Sequence, residues 1–221
     1  MKPRSGAGSG SAGPAGAPAR RGRGRGGWTN VHGVFLDVSS VGILITGKSG
    51  IGKSECALDL VCRGHKLVAD DAVKVRRTGR KAIEGEGSGL VRHHMEIQGL
   101  GIVDIRELFG VAAVRDRKRI DLLIELVEWA AGAEYDRLGI DEKTRTLLGV
   151  EVPALTLPVR PGRSIATIVE VAARNQLLKA HGVFTAREFQ QRLAGEIARG
   201  TSPRVGRRAG ADPAGPERNP G

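Results

Sequence analysis

A chain of 221 residues with 40% apolar side chains has enough material for one buried core, and no apolar run approaches the roughly 20 residues of a membrane-spanning helix. Two cysteines exclude a disulfide scaffold, and the net charge of +11 suggests nucleic-acid binding until its distribution is read. The tails 1–27 and 199–221 carry +6 and +3, which leaves only +2 for the segment 28–198.

Residues 1–27 and 199–221 are Gly/Ala/Pro/Ser/Arg mixtures and read as disordered tails around one domain, 28–198, because neither can bury enough surface to fold. Residues 20–27 alternate Arg with Gly but lack the interleaved aromatics that stack on bases, so a solvated tail is preferred to a nucleic-acid site. The first tail also lacks the apolar core of a secretion signal. Cys56 and Cys62 fall in one helical segment, too far apart around it to be bridged, and no Cys/His set has metal spacing. They read as reduced thiols of a cytoplasmic protein.

In chain order, 31–38 alternates loosely and predicts a strand with His32 and Gly33 near its start. Residues 41–46 predict a short buried strand, and 55–63 the start of an amphipathic helix. Between them Gly47, Lys48, Ser49, Gly50, Ile51, Gly52, Lys53 and Ser54 fit G-x-x-x-x-G-K-[ST]. In such a loop the glycines let backbone N–H groups turn around an anion, the lysine reaches the β- and γ-phosphates, and the hydroxyl can ligate Mg²⁺. Strand, loop and helix N-terminus in that order place the helix dipole at the anion.

Gly64 is expected to close the helix, and 66–69 predicts an apolar strand ending in Asp70-Asp71. A strand–helix–strand crossover gives parallel strands whose carboxyl ends share one sheet edge, so Asp70 and Asp71 are expected beside the loop. A carboxylate there can hold Mg²⁺ through water or take the proton of an attacking hydroxyl.

Residues 73–77 alternate like an exposed strand, and 78–89 reads as a polar loop. In 90–104, Gly99 and Gly101 bracket Leu100 and imply tight turns, while the adjacent His93 and His94 read as structural or surface residues. A helical turn is expected at 106–109, a solvated charged turn at 114–119 and a strand at 120–128. Residues 134–139 read as a loop with one potential phosphate-facing arginine, Arg137, and 141–148 as a short helix capped by Asp141. Residues 153–159 read as an edge strand because of their prolines, leading into Arg160 and Arg163. Ser164 is expected to cap a helix reaching His181, and 185–188 to form a capping box for the last helix. The class is α/β: a phosphate-loop-containing mixed sheet with flanking helices, C-terminal helices and disordered tails.

Taken together, residues 31–197 resemble the C-terminal catalytic domain of bacterial HPr kinase/phosphorylase. The likeness runs through His32-Gly33-Val34, the loop extended to Glu55, 64–71, 95–102, 114–116, 134–139 and 158–163, in the family's order. It implies a bifunctional, cytoplasmic enzyme that uses ATP or pyrophosphate to phosphorylate a serine of HPr, the phosphocarrier of the sugar phosphotransferase system. Such enzymes also remove that phosphate with inorganic phosphate, releasing pyrophosphate, and so regulate carbon metabolism.

By resemblance Asp70 is the base that takes the serine proton and the acid that returns it, and raising its pKa by Asp71 and burial would suit both roles. His32, Lys53 and Arg137 match active-site residues, and Ser54 and Glu96 match Mg²⁺ ligands. Met95, Glu96, Ile97, Gln98, Gly99, Leu100, Gly101, Ile102, Val103 and Asp104 match a stretch needed for both reactions. Pro158, Val159, Arg160, Pro161, Gly162 and Arg163 match one needed chiefly for dephosphorylation. A homohexamer is implied, with the last helices reaching a neighbour's site.

Lys48 stands where the family usually has Asp, and Gln98 where it commonly has Arg. Only the Gly/Arg tail precedes Val31, where typical members carry a further domain, a difference expected to bear on regulation and assembly more than on catalysis. The alternatives are a small-molecule kinase of the phosphate-loop class, an impaired family member lacking its N-terminal domain, and an RNA-associated protein using its basic tails.

Overall fold

The computed structural model describes residues 27–132, 135 and 142–200. Arg137 and Asp141 lie outside the described residues, as do Glu134, Asp136, Leu138, Gly139 and nearly all of both tails.

The chain opens with strands β1 (Thr29–His32), β2 (Val34–Val38) and β3 (Val41–Gly47), then helix α1 (Lys53–Cys62). Strands β4 (Lys66–Ala69), β5 (Ala72–Arg77) and β6 (Ile83–Gly87) follow, then the hairpin β7 (His94–Ile97) and β8 (Gly101–Asp104) and the short helix α2 (Ile105–Phe109). The remainder is β9 (Arg117–Arg119), β10 (Leu122–Glu128), β11 (Thr144–Leu147), β12 (Val150–Val159), α3 (Ile165–Ala180) and α4 (Thr185–Gly200).

A six-stranded sheet of order β11-β12-β10-β3-β2-β4 forms the centre, and a four-stranded sheet of order β1-β5-β6-β9 covers one face of it. Helices α1 and α3 cover the other face. Alternate side chains of the central strands divide between the two sides. Leu36, Ile43, Ile45, Ile124 and Leu126 pack with Ala57, Leu60, Val169 and Ala173, whereas Phe35, Leu44 and Leu123 pack with Val73, Val75 and Ile83. Burial on both faces is why β2 and β3 read as nearly continuous apolar runs.

Strands β3, β10 and β12 are parallel, and β2 lies antiparallel between β3 and β4. Two successive reversals make β4 run in the direction of β3, so both carboxyl ends reach the same edge. The crossover expectation holds, although an intervening strand separates the two.

Several local readings yield to tertiary structure. The predicted strand 31–38 is two strands broken at Gly33, where the chain passes from one sheet to the other. A Cβ on Gly33 would lie 2.4 Å from the Ile45 carbonyl oxygen, so only glycine fits the passage. The polar stretch 78–89 contains β6, and Gly85 there sits under the ring of Phe35, where a Cβ would be 2.7 Å from the ring edge. The absent side chain that looked like a loop signal makes room for a core aromatic.

The charged stretch 114–119 is not a solvated turn. Val114 bridges to Leu67, the Arg115 guanidinium donates to the buried Asp37 carboxylate, and Arg117 and Arg119 lie on β9 opposite Glu86 and Glu84. The helix expected at 141–148 is replaced by β11, hydrogen-bonded to β12. Strand β12 is interior: β11 flanks Val150 to Pro153, and β10 flanks Ala154 to Val159. Each half keeps one free edge, which is where a residue without an N–H is tolerated.

Ser164 caps α3 as expected, its Oγ accepting from Thr167 N at 3.3 Å. Helix α4 already includes Thr185, and its first turn closes by Glu188 N donating to the Phe184 carbonyl rather than by a capping box. Cys56 is buried and Cys62 exposed, both free. Burial, then the neighbouring Asp59, pushes the Cys56 thiol up to about 12, so it stays protonated. Among the described residues no helix is long and apolar enough to cross a membrane.

Candidate active site

The glycine loop joins the end of β3 to the first turn of α1. Gly47 sits at φ 145°, where a Cβ would lie 2.6 Å from the Leu126 carbonyl oxygen on neighbouring β10. Gly52 caps α1 in a left-handed conformation, at φ 97°, and no side chain satisfies the N–H groups of the first helical turn. Those donors and the positive end of the helix dipole face the loop, an arrangement suited to an anion.

Lys53 is only 7% exposed and folds back over the loop, its Nζ donating to the Gly47 carbonyl at 3.2 Å and the Lys48 carbonyl at 3.0 Å. A buried ammonium bonded only to neutral carbonyls is a charge available to an incoming anion. Lys48 points the other way, with its Nζ 3.1 Å from Glu128 Oε1 at the end of β10.

Asp70 follows the last residue of β4 and is also 7% exposed. Ser54 Oγ donates to its carboxylate, at 3.1 Å from Oδ1 and 3.2 Å from Oδ2, and Glu96 N donates to Oδ2 at 3.3 Å. Burial raises its pKa; the bonds from Ser54 and the backbone oppose that, and repulsion from Asp71 is the smallest contribution. The expected cause is therefore half right: burial of the carboxyl raises it, and Asp71 adds little.

Asp71 turns away because its backbone is left-handed, at φ 62°. Its carboxylate Oδ1 lies 3.0 Å from His32 Nδ1, and its carbonyl oxygen is 3.1 Å from that nitrogen and 3.1 Å from Gly33 N. Both partners of Nδ1 are acceptors, so in the neutral ring the hydrogen sits on Nδ1 and Nε2 is the free acceptor. The expected result is a pyrrole-type nitrogen-15 shift for Nδ1 in the neutral ring. In Asp71→Gly, which tolerates the left-handed backbone, only the carbonyl holds the ring and that preference weakens. A neutral wild-type ring with its hydrogen on Nε2 would overturn the assignment.

The stretch 95–104 is the β7–β8 hairpin. Met95 is buried beneath it, the Glu96 carboxylate is exposed and without a partner among the described residues, and Gln98, Leu100 and Ile102 line the exposed tip. Gly99 and Gly101 have φ of 84° and 98°, which supplies the tight turn expected there. Ile97 is half-buried, Val103 packs against the core, and Asp104 caps α2 by accepting from Arg106 N and Glu107 N. Those backbone bonds, that of Glu107 first, hold its carboxyl below the usual range. His93 is buried with its pKa lowered chiefly by burial, a structural role as expected.

Pro158 and Val159 end β12, and Arg160, Pro161, Gly162 and Arg163 turn into α3, with Gly162 at φ 77°. The Arg160 guanidinium lies 4.5 Å from the ring centre of Trp129, and Trp129 N donates to the Val159 carbonyl at 3.3 Å. This turn is therefore fastened to the end of β10, the same end that meets Lys48.

Ser49, Gly50 and Ile51 complete the loop, with Ile51 packed on the core and Gly50 at φ 75°. The structure thus brings together the loop, Lys53, Ser54, Asp70 and the Glu96 backbone, places His32 on Asp71, and ties the 158–163 turn to β10. Glu128 and Trp129 were not singled out from sequence. A charged and an aromatic residue closing an apolar strand run was the only local signal.

Among the described residues no group of three or more His, Cys, Asp or Glu could hold a metal ion. What lies at the site is oxygen donors: the Ser54 hydroxyl, the Asp70 carboxylate it bonds, and the exposed Glu96 carboxylate on the adjacent hairpin. Such a set fits a hard cation like Mg²⁺ that keeps several waters and shares its remaining positions with phosphate oxygens.

Comparison with known proteins points to one family. The chain is 56% identical over 165 residues to the HPr kinase/phosphorylase of Geobacter sulfurreducens, covering 75% of this chain and 52% of that protein. It is 49% identical over 172 residues to the HPr kinase/phosphorylase of Bacillus subtilis, covering 78% and 56%. The chain thus spans about half the length of the curated relatives it matches. The solved structure of the Hpr(Ser) kinase/phosphatase from Coxiella burnetii superposes with a TM-score of 0.65 at 34% identity, over 73% of this chain and 98% of that one. The profile of the HPr Serine kinase C-terminal domain matches residues 27–193, and the chain belongs to that family.

Proposed function

We propose that this chain is the catalytic part of a bifunctional protein-serine kinase and phosphorylase acting on HPr, with ATP or pyrophosphate as phosphoryl donor. The observation that carries it is Asp70: a buried carboxylate of raised pKa, at a strand end beside a glycine loop, bonded to Ser54 and the Glu96 backbone. Relatives of this name at about half identity supply the substrate, and the whole-protein activity rests on them.

The loop backbone and the N–H groups of α1 cradle the phosphates, and Lys53 leaves its two carbonyls for the transferring group. Ser54 and Glu96 would hold Mg²⁺, which would supply neutralisation of the phosphate charge. Asp70 accepts the proton of the attacking serine hydroxyl and returns it when phosphate cleaves the phosphoserine. A carboxyl whose pKa burial has raised serves both states better than an ordinary aspartate. His32, hydrogen-bonded to Asp71, and Arg137 are proposed as further active-site residues. Residues 158–163, fastened through Trp129, position arginines for the reverse reaction.

The exposed apolar face of α4, with Phe189, Leu193 and Ile197 at a spacing of four, supports assembly into a homohexamer. The protein is proposed to be cytoplasmic and to regulate carbon metabolism through HPr, with 28–198 as its catalytic domain.

The test is one reaction mixture: purified chain, HPr, Mg²⁺ and ATP or pyrophosphate, then inorganic phosphate. Phosphoserine should form and then disappear with release of pyrophosphate. Folded chain that forms no phosphoserine with either donor removes the reading. Arg160→Ala, which loses the stack on Trp129, should slow the second step at least about tenfold while sparing the first, a difference of about 1.4 kcal/mol in barrier.

A further inference from the structure

The ion pair between Lys48 and Glu128 has no part in the chemistry above, yet it lies on the loop itself. Lys48 Nζ is 3.1 Å from Glu128 Oε1, across 80 residues of sequence, and the two side chains are 73% and 71% exposed. The Lys48 carbonyl is 3.0 Å from the Lys53 ammonium, so both lysines are anchored at one point of the loop and their side chains leave it differently. The next residue along β10, Trp129, carries the Arg160 guanidinium on its ring. Glu128 therefore pairs with Lys48 at the mouth of the candidate site, one residue before the ring that carries Arg160.

A solvent-exposed ion pair contributes little and is easily exchanged. A polyphosphate carries several negative charges and offers a lysine a stronger partner than a single carboxylate, which also lies in the repulsive field of the arriving anion. Resting on the proposal that the loop holds polyphosphate, we infer that Glu128 competes with the donor for Lys48. In the unloaded loop Glu128 holds Lys48 outward. On loading, Lys48 exchanges the carboxylate for a phosphate oxygen and becomes a specificity-determining contact for the more highly charged ligand. Glu128 then lowers affinity and Lys48 raises it, so the two side chains of one ion pair have opposite effects.

Calorimetric titration of the full chain with pyrophosphate and Mg²⁺ tests this. Lys48→Gln is expected to weaken binding about fivefold, and Glu128→Gln to tighten it about threefold, in the range of single exposed charge contacts. The tightening by Glu128→Gln should be smaller in the Lys48→Gln background than in the wild type, because release of Lys48 then no longer adds to the relief of direct repulsion. Raising the salt concentration should shrink both effects. Wild-type binding matched by both single variants, or weakened by Glu128→Gln, overturns the inference while leaving the loop reading intact. Absence of pyrophosphate binding by the folded wild type, with Lys53→Ala no different, removes the loop reading itself and the inference with it.

Discussion

Asp70→Asn is expected to slow phosphoryl transfer in both directions by about 10²–10⁴-fold while leaving a folded protein that withstands heat better than the wild type at pH 7. The asparagine keeps the shape and the acceptor oxygen for Ser54 Oγ and Glu96 N, so the local bonds survive. What it removes is the proton acceptor. General base catalysis is worth about 10²–10⁴-fold, and both directions need the same group, so forward and reverse rates should fall together by about that factor.

The gain in stability follows from the sign of the shift. The folded-state pKa of Asp70 is raised, mainly by burial, so ionisation is harder in the folded than in the unfolded chain. That penalty is absent at low pH, grows as the pH rises from the ordinary carboxylate value toward the raised one, and is complete above it. Asparagine carries no such penalty. The midpoint difference between variant and wild type should therefore be positive at pH 7 and shrink as the pH is lowered through the carboxylate range. A variant that keeps either direction within about tenfold of the wild-type rate, or whose midpoint advantage grows on acidification, contradicts the assignment.

Gly42→Ala should be the most damaging single methyl in the central sheet. Gly42 N donates to Asp121 Oδ2 at 2.9 Å, and Asp121 N donates to the Gly42 carbonyl at 2.8 Å, fastening β3 to the chain entering β10. A Cβ would lie 1.8 Å from the Arg119 carbonyl oxygen and 2.9 Å from both its carbon and Lys118 Cγ. The obstruction is backbone on a paired strand, so no side-chain rotation relieves it. Overpacking against a yielding neighbour costs about 1–3 kcal/mol, and here the cost should reach about 3 kcal/mol or more. For a core of this size that lowers the thermal midpoint by roughly 6–12 °C. Because β3 leads directly into the glycine loop, pyrophosphate affinity should fall as well. Thermal melts of Gly42→Ala and of Gly50→Ala separate the effects: Gly50 has open space around it, and its left-handed backbone penalty stays local to the loop. Equal midpoints for the two variants would show that the approach at Gly42 is not limiting.

The difference between these glycines illustrates which parts of the molecule a sequence discloses. Gly47, Gly50 and Gly52 announced themselves by spacing, because the phosphate-loop geometry is built within eight consecutive residues. Gly42 and Gly85 looked like interruptions in otherwise apolar or polar runs. Their neighbours, Arg119 and Phe35, are distant in sequence, and nothing local names them.

The same contrast holds for acids and bases. Asp70 was legible because it ends an apolar run after a helix, and a right-ordered crossover sends that end to the loop whatever strand lies between. Its pKa was not fully legible: burial, a property of the assembled sheet, dominates over the adjacent Asp71. Asp71 is turned toward His32 by a positive φ, which adjacency alone does not predict. The charged segment 114–119 read as solvated because its acids, Asp37, Glu84 and Glu86, lie on other strands.

By itself the sequence determined the glycine loop, the strand before it and the helix after it, the carboxylate at the end of β4, the hairpin glycines and the Ser164 cap. Each depends on backbone conformation or side-chain periodicity over fewer than about 20 residues, which the local order of residues encodes directly. Only the tertiary structure decided that 78–89 contains a strand, that β12 lies inside the sheet, and that Lys48 pairs with Glu128 and His32 with Asp71. Those outcomes depend on strand order and register between distant segments, where the energy comes from the partner rather than from the residue.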